Sequence, residues 1–529
     1  MSEPATAVRE REAKASRSAG TTATIVKIVL VGLIDALLIW ALARVIADQW
    51  WLAVVFFVLV LIAVNYAYFV KGNLPLKYLL PGLVFLFVFQ LYTMYFTAYS
   101  SFTNYGTGHF GDKQNSIVAI QAQSVVAVEG GTQYAAVPVV KDGTVSMLVT
   151  DPATGVVSIA TNDGLTEVPA ADVQRDGEKV TGATGYQSLN LGTLSSNADY
   201  KAQWDALQAP IDPDQGIYLR PISVTKAGLA QPGVVYDAAQ DSMVNTVTGE
   251  VYPANNEVGN FVSADGNVLN PGWMIGVGAT NYTKLFTDPT IRARFLPILV
   301  WTFVFAILTT LLNFSLGLIM ALVLNERRMR GQKVYRLLLI VPYGLPFILT
   351  ALIWKAMLNT DFGLINQILG QNIPWLETTS LARFSILMVN LWAGFPYFFL
   401  VCSGALTSIP ADLKEAAFVD GASSRYAFRT VVLPLLLVAT APLLVTTFAF
   451  NFNNYTLIEL LTGGGPFPGS VLDGGSTDLL INYTFRTAFN GSDQKLGLAS
   501  AIAMLIFVIV GSVSAYGFRL TRKLEEIGT

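Results

Sequence analysis

Eight stretches of the chain are apolar at nearly every position for roughly twenty residues or more: 25–46, 50–70, 76–99, 296–324, 333–357, 381–406, 430–458 and 496–519. A helix needs about 20 such residues to cross the hydrocarbon of a bilayer. Lipid offers no partner to a bare N–H or C=O, so runs this long and uniform close their own backbone as helices. Residues 100–285 break the pattern. There, short β-rich runs alternate with turn residues: 124–128 before Glu129-Gly130-Gly131, 134–140 before Lys141-Asp142-Gly143, and 145–150 before Asp151-Pro152. Such spacing predicts a small, mainly β domain, with a helical stretch near 199–207. The chain reads as an α-helical polytopic membrane protein with eight transmembrane helices and a large mainly-β extracytoplasmic domain inserted between helices three and four. Its parts are a tail 1–24, three helices within 25–99, the β-rich domain 100–290, a five-helix core 291–520 and a tail 521–529.

Composition agrees. Of 529 residues, 53% are hydrophobic and 13% charged, where soluble proteins carry about one quarter charged residues. The single cysteine, Cys402, excludes a disulfide framework, a Cys-held iron–sulfur cluster and a zinc ribbon; it reads as a small buried apolar residue. The single histidine, His109, excludes a cluster of His ligands and most His-based catalysis, and reads as solvated in a Gly-rich loop. A net charge of −3 hides a split, because residues 101–283 hold 18 acidic and 7 basic side chains. An acidic, water-exposed block on a basic membrane body does not describe a nucleic-acid binder.

Lys and Arg set the orientation. With the N-terminus inside, the inner segments carry Arg9, Arg11, Lys14, Arg17, Lys27, Lys71, Lys77, Arg327, Arg328, Arg330, Lys333, Arg336, Lys414, Arg425, Arg429, Arg519, Arg522 and Lys523. The short outer segments carry Arg44, Lys355, Arg383, Arg486 and Lys495. Both termini are therefore expected in the cytoplasm and the acidic block outside. Ala41-Leu42-Ala43 has the look of a signal cleavage site, but the run is long for one and a second follows at once, so 25–46 reads as a retained helix. Asp35 within it is expected to pair with a neighbouring polar group.

No phosphate-binding Gly-x-x-x-x-Gly-Lys-Ser/Thr loop, Gly-x-Ser-x-Gly elbow, HExxH or CxxC occurs. Energy must come from another chain or an ion gradient. Between the sixth and seventh runs lies Pro410-Ala411-Asp412-Leu413-Lys414-Glu415-Ala416-Ala417-Phe418-Val419-Asp420-Gly421, then 423–430, then Val431-Val432-Leu433-Pro434. Pro410 and Asp412 suit a helix start, and Gly421 suits its end, predicting a short helix over 412–420 and a second over 423–430.

Glu415-Ala416-Ala417, then Gly421, then Val431-x-Leu433-Pro434 resembles the EAA loop of ABC importer permeases. Three further stretches look like the MalF-type maltose/maltodextrin permeases: 448–455 with Leu460-Leu461-Thr462-Gly463-Gly464-Gly465-Pro466, 477–484, and 390–397. The resemblance implies that loop 407–430 seats in an ATPase subunit through Glu415, Ala416, Ala417, Asp420 and Gly421. It further implies a second, MalG-type permease, two MalK-type ATPases, a MalE-type sugar-binding protein and alternating access. ATP and Mg would sit on the ATPases and no cofactor on this chain. The β-rich domain then reads as a docking platform, with a plain spacer as the alternative.

Helical spacing puts Asn390, Gly394 and Tyr397 on one face of the sixth helix, and Phe450, Asn451 and Asn454 on one face of the seventh. Amides inside a bundle need partners, and sugar hydroxyls both donate and accept. Gly394 would leave room for a ring. The resemblance makes these six the sugar site. The alternative on the residues alone is that the asparagines tie helices together and the aromatic rings are packing. Ala393 leaves the exact saccharide open, Asn453 is expected to face away, and Pro342, Pro346, Pro396, Pro434 and Pro442 are expected to break or kink their helices. An importer of a different oligosaccharide, an ion-coupled secondary transporter and a membrane enzyme remain alternatives. The last two lack the intramembrane carboxylates or metal motif they need.

Overall fold

The computed structural model describes the backbone of residues 5–47, 49–70, 74–128, 130–212, 216–325, 329–470 and 474–528. Glu129, Lys71, Arg327, Arg328 and the side chains of Arg9, Arg11, Lys14, Arg17, Arg522 and Lys523 lie outside the described residues. The chain divides into two compact units, Met1–Tyr99 and Ser100–Thr529.

In the first unit a single helix runs Ala5–Ala47, so the predicted tail is not separate from the first span. Its Ala-, Glu-, Lys- and Arg-rich start has high intrinsic helicity, which carries the helix back from the apolar stretch. Helix Trp51–Phe69 follows, and then Leu74–Leu86, which contains Pro81 and runs through a π-turn at Phe87–Leu91 into Tyr92–Ser101. Asp35 accepts a hydrogen bond from Asn65 Nδ2 at 3.0 Å, the polar partner expected of it.

The second unit begins with the β-rich part. Gln133–Lys141, Thr144–Thr150, Val157–Thr161 and Gly164–Glu167 form an antiparallel meander, and Lys226–Pro232, Ile217–Ser223 and Ala209–Asp212 extend it beyond Gln133–Lys141. The first hairpin turns on Asp142 (φ 50°) and Gly143 (φ 80°), a left-handed pair that Asp-Gly adopts at little cost. Successive residues Met147 and Leu148 are both buried. Since neighbours in a strand point to opposite faces, both faces of this sheet are covered. Leu194 and Trp204 of the helices Leu191–Ser196 and Ala198–Asp205 cover one face, and Val173, Val180 and Ala183 the other. A second, five-stranded sheet spans Val234–Leu269. Beside it Lys113 lies over the rings of Phe261 and Trp273 and pairs with Asp241. That ammonium, with the Tyr236 hydroxyl, holds the Asp241 carboxyl below the usual carboxylate range. His109 is only partly solvated, its Nε2 lying 2.8 Å from Asn260 Oδ1.

Six helices among the described residues are long and apolar enough to cross a membrane: Thr24–Ala47, Leu74–Ser101, Pro289–Leu324, Thr379–Ser408, Ser424–Phe452 and Leu496–Thr521. Gln332–Gly344 and Phe347–Met357, bent by 93°, make a seventh if taken as one. Reaching the expected eight requires counting the shorter Trp51–Phe69. The bend falls at Pro342-Tyr343-Gly344-Leu345-Pro346, where two prolines lack the N–H that would continue the ladder. Pro396 and Pro442 instead sit inside helices that continue past them, and Pro434 lies in the first turn of its helix.

The predicted seventh span, 430–458, ends early. Helix Leu433–Phe452 stops before Asn453, and Asn454 Oδ1 accepts from Leu457 N at 3.3 Å, capping a separate helix Tyr455–Leu461. An asparagine side chain that competes for backbone N–H groups ends one helix and starts another.

Helices Pro289–Leu324 and Thr379–Ser408 run parallel and in close contact: Trp301 lies under Arg383, Asn313 beside Gly394, and Gly317 against Phe398. A Cβ at Gly317 would stand 2.6 Å from Phe398 Cβ and 2.7 Å from its backbone carbon. Gly317→Ala is therefore expected to destabilise the bundle by about 1–3 kcal/mol through overpacking. Thermal denaturation of the solubilised protein measures it, and an unchanged melting temperature would refute this close approach.

Candidate functional site

Three buried amides join three spans. Asn313 Nδ2 donates to Asn390 Oδ1 at 3.0 Å, and Asn390 Nδ2 donates to Asn451 Oδ1 at 3.2 Å. Asn451 Nδ2 reaches Thr310 Oγ1 at 3.5 Å. The four residues are 2–6% exposed. Amides in such surroundings are costly unless paired, and this relay pairs them head to tail. Asn313 Oδ1 is buried without a hydrogen-bond donor.

The structure thus brings Asn390 and Asn451 together, as the two helical faces suggest. It also adds Thr310 and Asn313, which the sequence reading missed. Their signal was present: Thr309, Thr310 and Asn313 interrupt an otherwise apolar span, the last two spaced i, i+3 on one face. Gly394 has a different role from the one expected. A Cβ there would meet Asn313 Nδ2 at 2.5 Å, so the missing side chain makes room for the relay amide.

The other three residues stand outside the relay. Tyr397 is half-buried, its ring 6.3 Å from that of Tyr343 and 5.2 Å from that of Phe398. Phe450, next to the buried Asn451, is 69% exposed and faces out of the chain. Asn454 does not share a helical face with Asn451, because the helix has ended and its side chain caps the next one. Asn453 is exposed, as expected, and donates to Ala449 O at 3.3 Å. Cys402 is fully buried.

The loop after Thr379–Ser408 forms the two predicted pieces. Helix Ala411–Val419 buries none of its residues, and Ser424–Ala427 leads through a π-turn, Phe428–Val432, into Leu433–Phe452. Ala422 N donates to Ala417 O at 2.9 Å and Gly421 N to Phe418 O at 3.0 Å. This is a Schellman ending, with Gly421 at φ 82° in its left-handed position. Glu415, Ala416 and Ala417 lie along the helix, and Asp420 closes it. Ala417, Asp420 and Gly421 also line an open cavity of about 580 Å³ with Ser423, Tyr426 and Val431.

A buried ion pair, Arg486 with Asp478, stands after Asn454, with the partly exposed Glu459 beside it. Arg486 Nε reaches Asp478 Oδ2 at 3.1 Å, and its Nη2 reaches Glu459 Oε2 at 3.3 Å and the Gly463 carbonyl. No group of three or more metal-binding side chains occurs among the described residues.

Residues 313–520 match the family of binding-protein-dependent transport system inner membrane components. Residues 84–163 match the N-terminal region of the transmembrane subunit in binding-protein-dependent ABC transporters. The maltose/maltodextrin transport system permease protein MalF of Vibrio vulnificus strain YJ016 is 33% identical over 479 residues, 87% of this chain and 88% of that protein. MalF of Vibrio parahaemolyticus is 32% identical over 89% of this chain and 91% of that protein. MalF of Escherichia coli K12 is 42% identical over 293 residues, 53% of this chain and 57% of that protein. With likeness of this extent across both spans and loops, the chain belongs to the MalF-type permeases of the binding-protein-dependent ABC transporters.

Proposed function

We propose that the chain supplies one half of the maltose/maltodextrin pathway of an ATP-driven importer and takes its motion from an ATPase through helix Ala411–Val419. Family membership carries the class of activity: a permease subunit rather than an enzyme, with ATP hydrolysis on a separate chain. The observation that carries the coupling is the helix itself. Leu413, Phe418 and Val419 are 44, 50 and 86% exposed on a segment outside the spans. Apolar side chains held out on a short, well-ended helix suit a protein cleft. A rigid helix joined to both neighbouring spans can pass them a rigid-body rotation.

The partners under this reading are a MalG-type permease, two MalK-type ATPases that hold ATP and Mg, and a MalE-type binding protein; this chain holds no cofactor. The place is the bacterial inner membrane, with eight spans and both termini in the cytoplasm. The clustering of Lys and Arg in alternate loops supports that orientation.

For the sugar, Phe450 and the half-buried Tyr397 beside Tyr343 offer ring faces to the C–H face of a pyranose. Asn390 and Asn451 form the polar frame behind them, Gly394 gives that frame its room, and Asn454 caps the helix that follows. Ala393 leaves the same chemistry open to a different oligosaccharide. Phe450→Ala removes an exposed ring and is expected to leave assembly intact while lowering uptake about tenfold, the effect of losing roughly 1.4 kcal/mol. Asn451→Ala should also lower uptake or change which sugar passes. Reconstituted transport across a maltodextrin panel measures both, and unchanged uptake by both variants would remove these residues from the site.

A further inference from the structure

The chain enters the β-rich domain through residues 101–107 and leaves it through 273–279. The two segments are tied together. Thr103 and Gly276 form an antiparallel bridge, Val277 N donates to Phe102 O at 2.7 Å, and Ile275 N donates to Asn104 Oδ1 at 2.8 Å. Two neighbouring segments alone make a hinge, since a body can still pivot about the line they share. Gly278, at φ 56°, gives the exit segment a residue that reorients at little cost.

A third attachment removes that pivot. Residues 494–497, at the head of the last span Leu496–Thr521, lie against the entry segment. Thr107 N donates to Gln494 O and Gln494 N to Thr107 Oγ1, both at 2.9 Å, and Gly497 N donates to Tyr105 O at 2.7 Å. Backbone meets backbone here more closely than a side chain allows. A Cβ at Gly106 would stand 2.2 Å from Gln494 O, and one at Gly497 would stand 2.3 Å from Thr103 O. Asn281, 8% exposed in helix Thr280–Thr287, fastens the same corner, its Nδ2 donating to Ser101 O at 3.0 Å and to Thr103 O at 2.8 Å. Buried donors and acceptors paired in this way are costly to separate. The corner continues into the bundle. Leu285 of that helix and Leu498 of the last span share one buried core with Phe448 and Phe452, which bracket Asn451 on helix Leu433–Phe452. Farther along, a Cβ at Gly517 would stand 2.5 Å from Val445 Cγ2 of the same helix.

We propose that this corner makes the β-rich domain and the last span one rigid body, so that a load on the domain reaches helix Leu433–Phe452 and, at its other end, the loop helix Ala411–Val419. The inference rests on the importer reading: the load is a docked, sugar-loaded binding protein, and the output is ATP hydrolysis by the partner subunit. The test uses the full chain assembled with its partner subunits and carrying Thr107→Cys with Gln494→Cys; the native Cys402 is fully buried. Uptake by the reduced form tests the importer reading separately. Uptake after oxidation is expected to equal that of the reduced form, because a disulfide cannot hinder parts that never separate. Asn281→Leu removes both of its bonds and should lower binding-protein-stimulated ATP hydrolysis about tenfold, an ordinary scale for coupling between sites, with basal hydrolysis unchanged. Oxidising the cysteine pair in the Asn281→Leu chain should restore the stimulation, which a merely misfolded chain would not regain. Loss of uptake on oxidation, reversed by a reductant, would reveal a hinge that opens and overturns the proposal. So does parental stimulation in Asn281→Leu, or a failure of the cross-link to restore it.

Discussion

Gly421→Asp is expected to abolish sugar uptake by the assembled transporter while the chain remains folded in the membrane. Gly421 holds φ 82°, and a Cβ built there meets nothing within 4 Å. Aspartate tolerates the left-handed region better than most residues, so the Schellman ending survives at small cost. The added side chain projects instead into the open cavity beside Ala417, Asp420 and Tyr426. It also brings a second carboxylate next to Asp420, at a helix C-terminus where negative charge is unfavourable. The damage therefore falls on whatever seats there. Glu415→Lys reverses a charge on the same unburied helix and should act alike. Co-purification of the ATPase together with uptake by proteoliposomes measures the effect. Normal uptake with parental ATPase association would end the coupling assignment.

Arg486→Gln is expected to cost about 3–5 kcal/mol of stability, because it strands a buried carboxylate. Asp478 is fully buried and Arg486 is 6% exposed. Asp478 Oδ2 also accepts from Gly475 N at 2.7 Å, and Arg486 also serves the Gly463 carbonyl, so one pair holds both ends of the loop between Leu461 and Leu480. Arg486→Lys keeps the charge but loses the planar fork and should fall between the two. The double change Asp478→Leu with Arg486→Met removes both charges and should recover part of the loss. It cannot recover all of it, since Gly475 N and Gly463 O stay unpaired. Thermal denaturation of the solubilised complex checks the order. A melting temperature for Arg486→Gln equal to the parent's would show that the pair contributes nothing.

Much of the candidate site was legible before any coordinates, and the unequal success has a physical pattern. The loop helix was readable because its signals are local: Pro410 at the start, Gly421 at the end, and no interior breaker. The Asp142-Gly143 hairpin and the break at Pro342–Pro346 were readable for the same reason. The amide relay was half readable. Spacing put Asn390 and Asn451 each on a stated face of its own helix, but nothing in it says which neighbour a face meets.

The sequence by itself determined the membrane class, the β-rich segment, the place of the loop helix Ala411–Val419 and the absence of an ATP site of the Gly-rich loop type. Those properties depend on hydropathy, turn chemistry and motif spacing, which act over a few residues. Only the tertiary structure decided that Asn313 and Thr310 complete the relay, that Gly394 yields space to Asn313, and that Phe450 faces outward while Asn451 faces in. It also decided that Asn454 caps a new helix instead of extending the old one. These outcomes depend on crossings between helices and on competition for backbone hydrogen bonds. Both are set by residues distant in the chain, and no local pattern carries them.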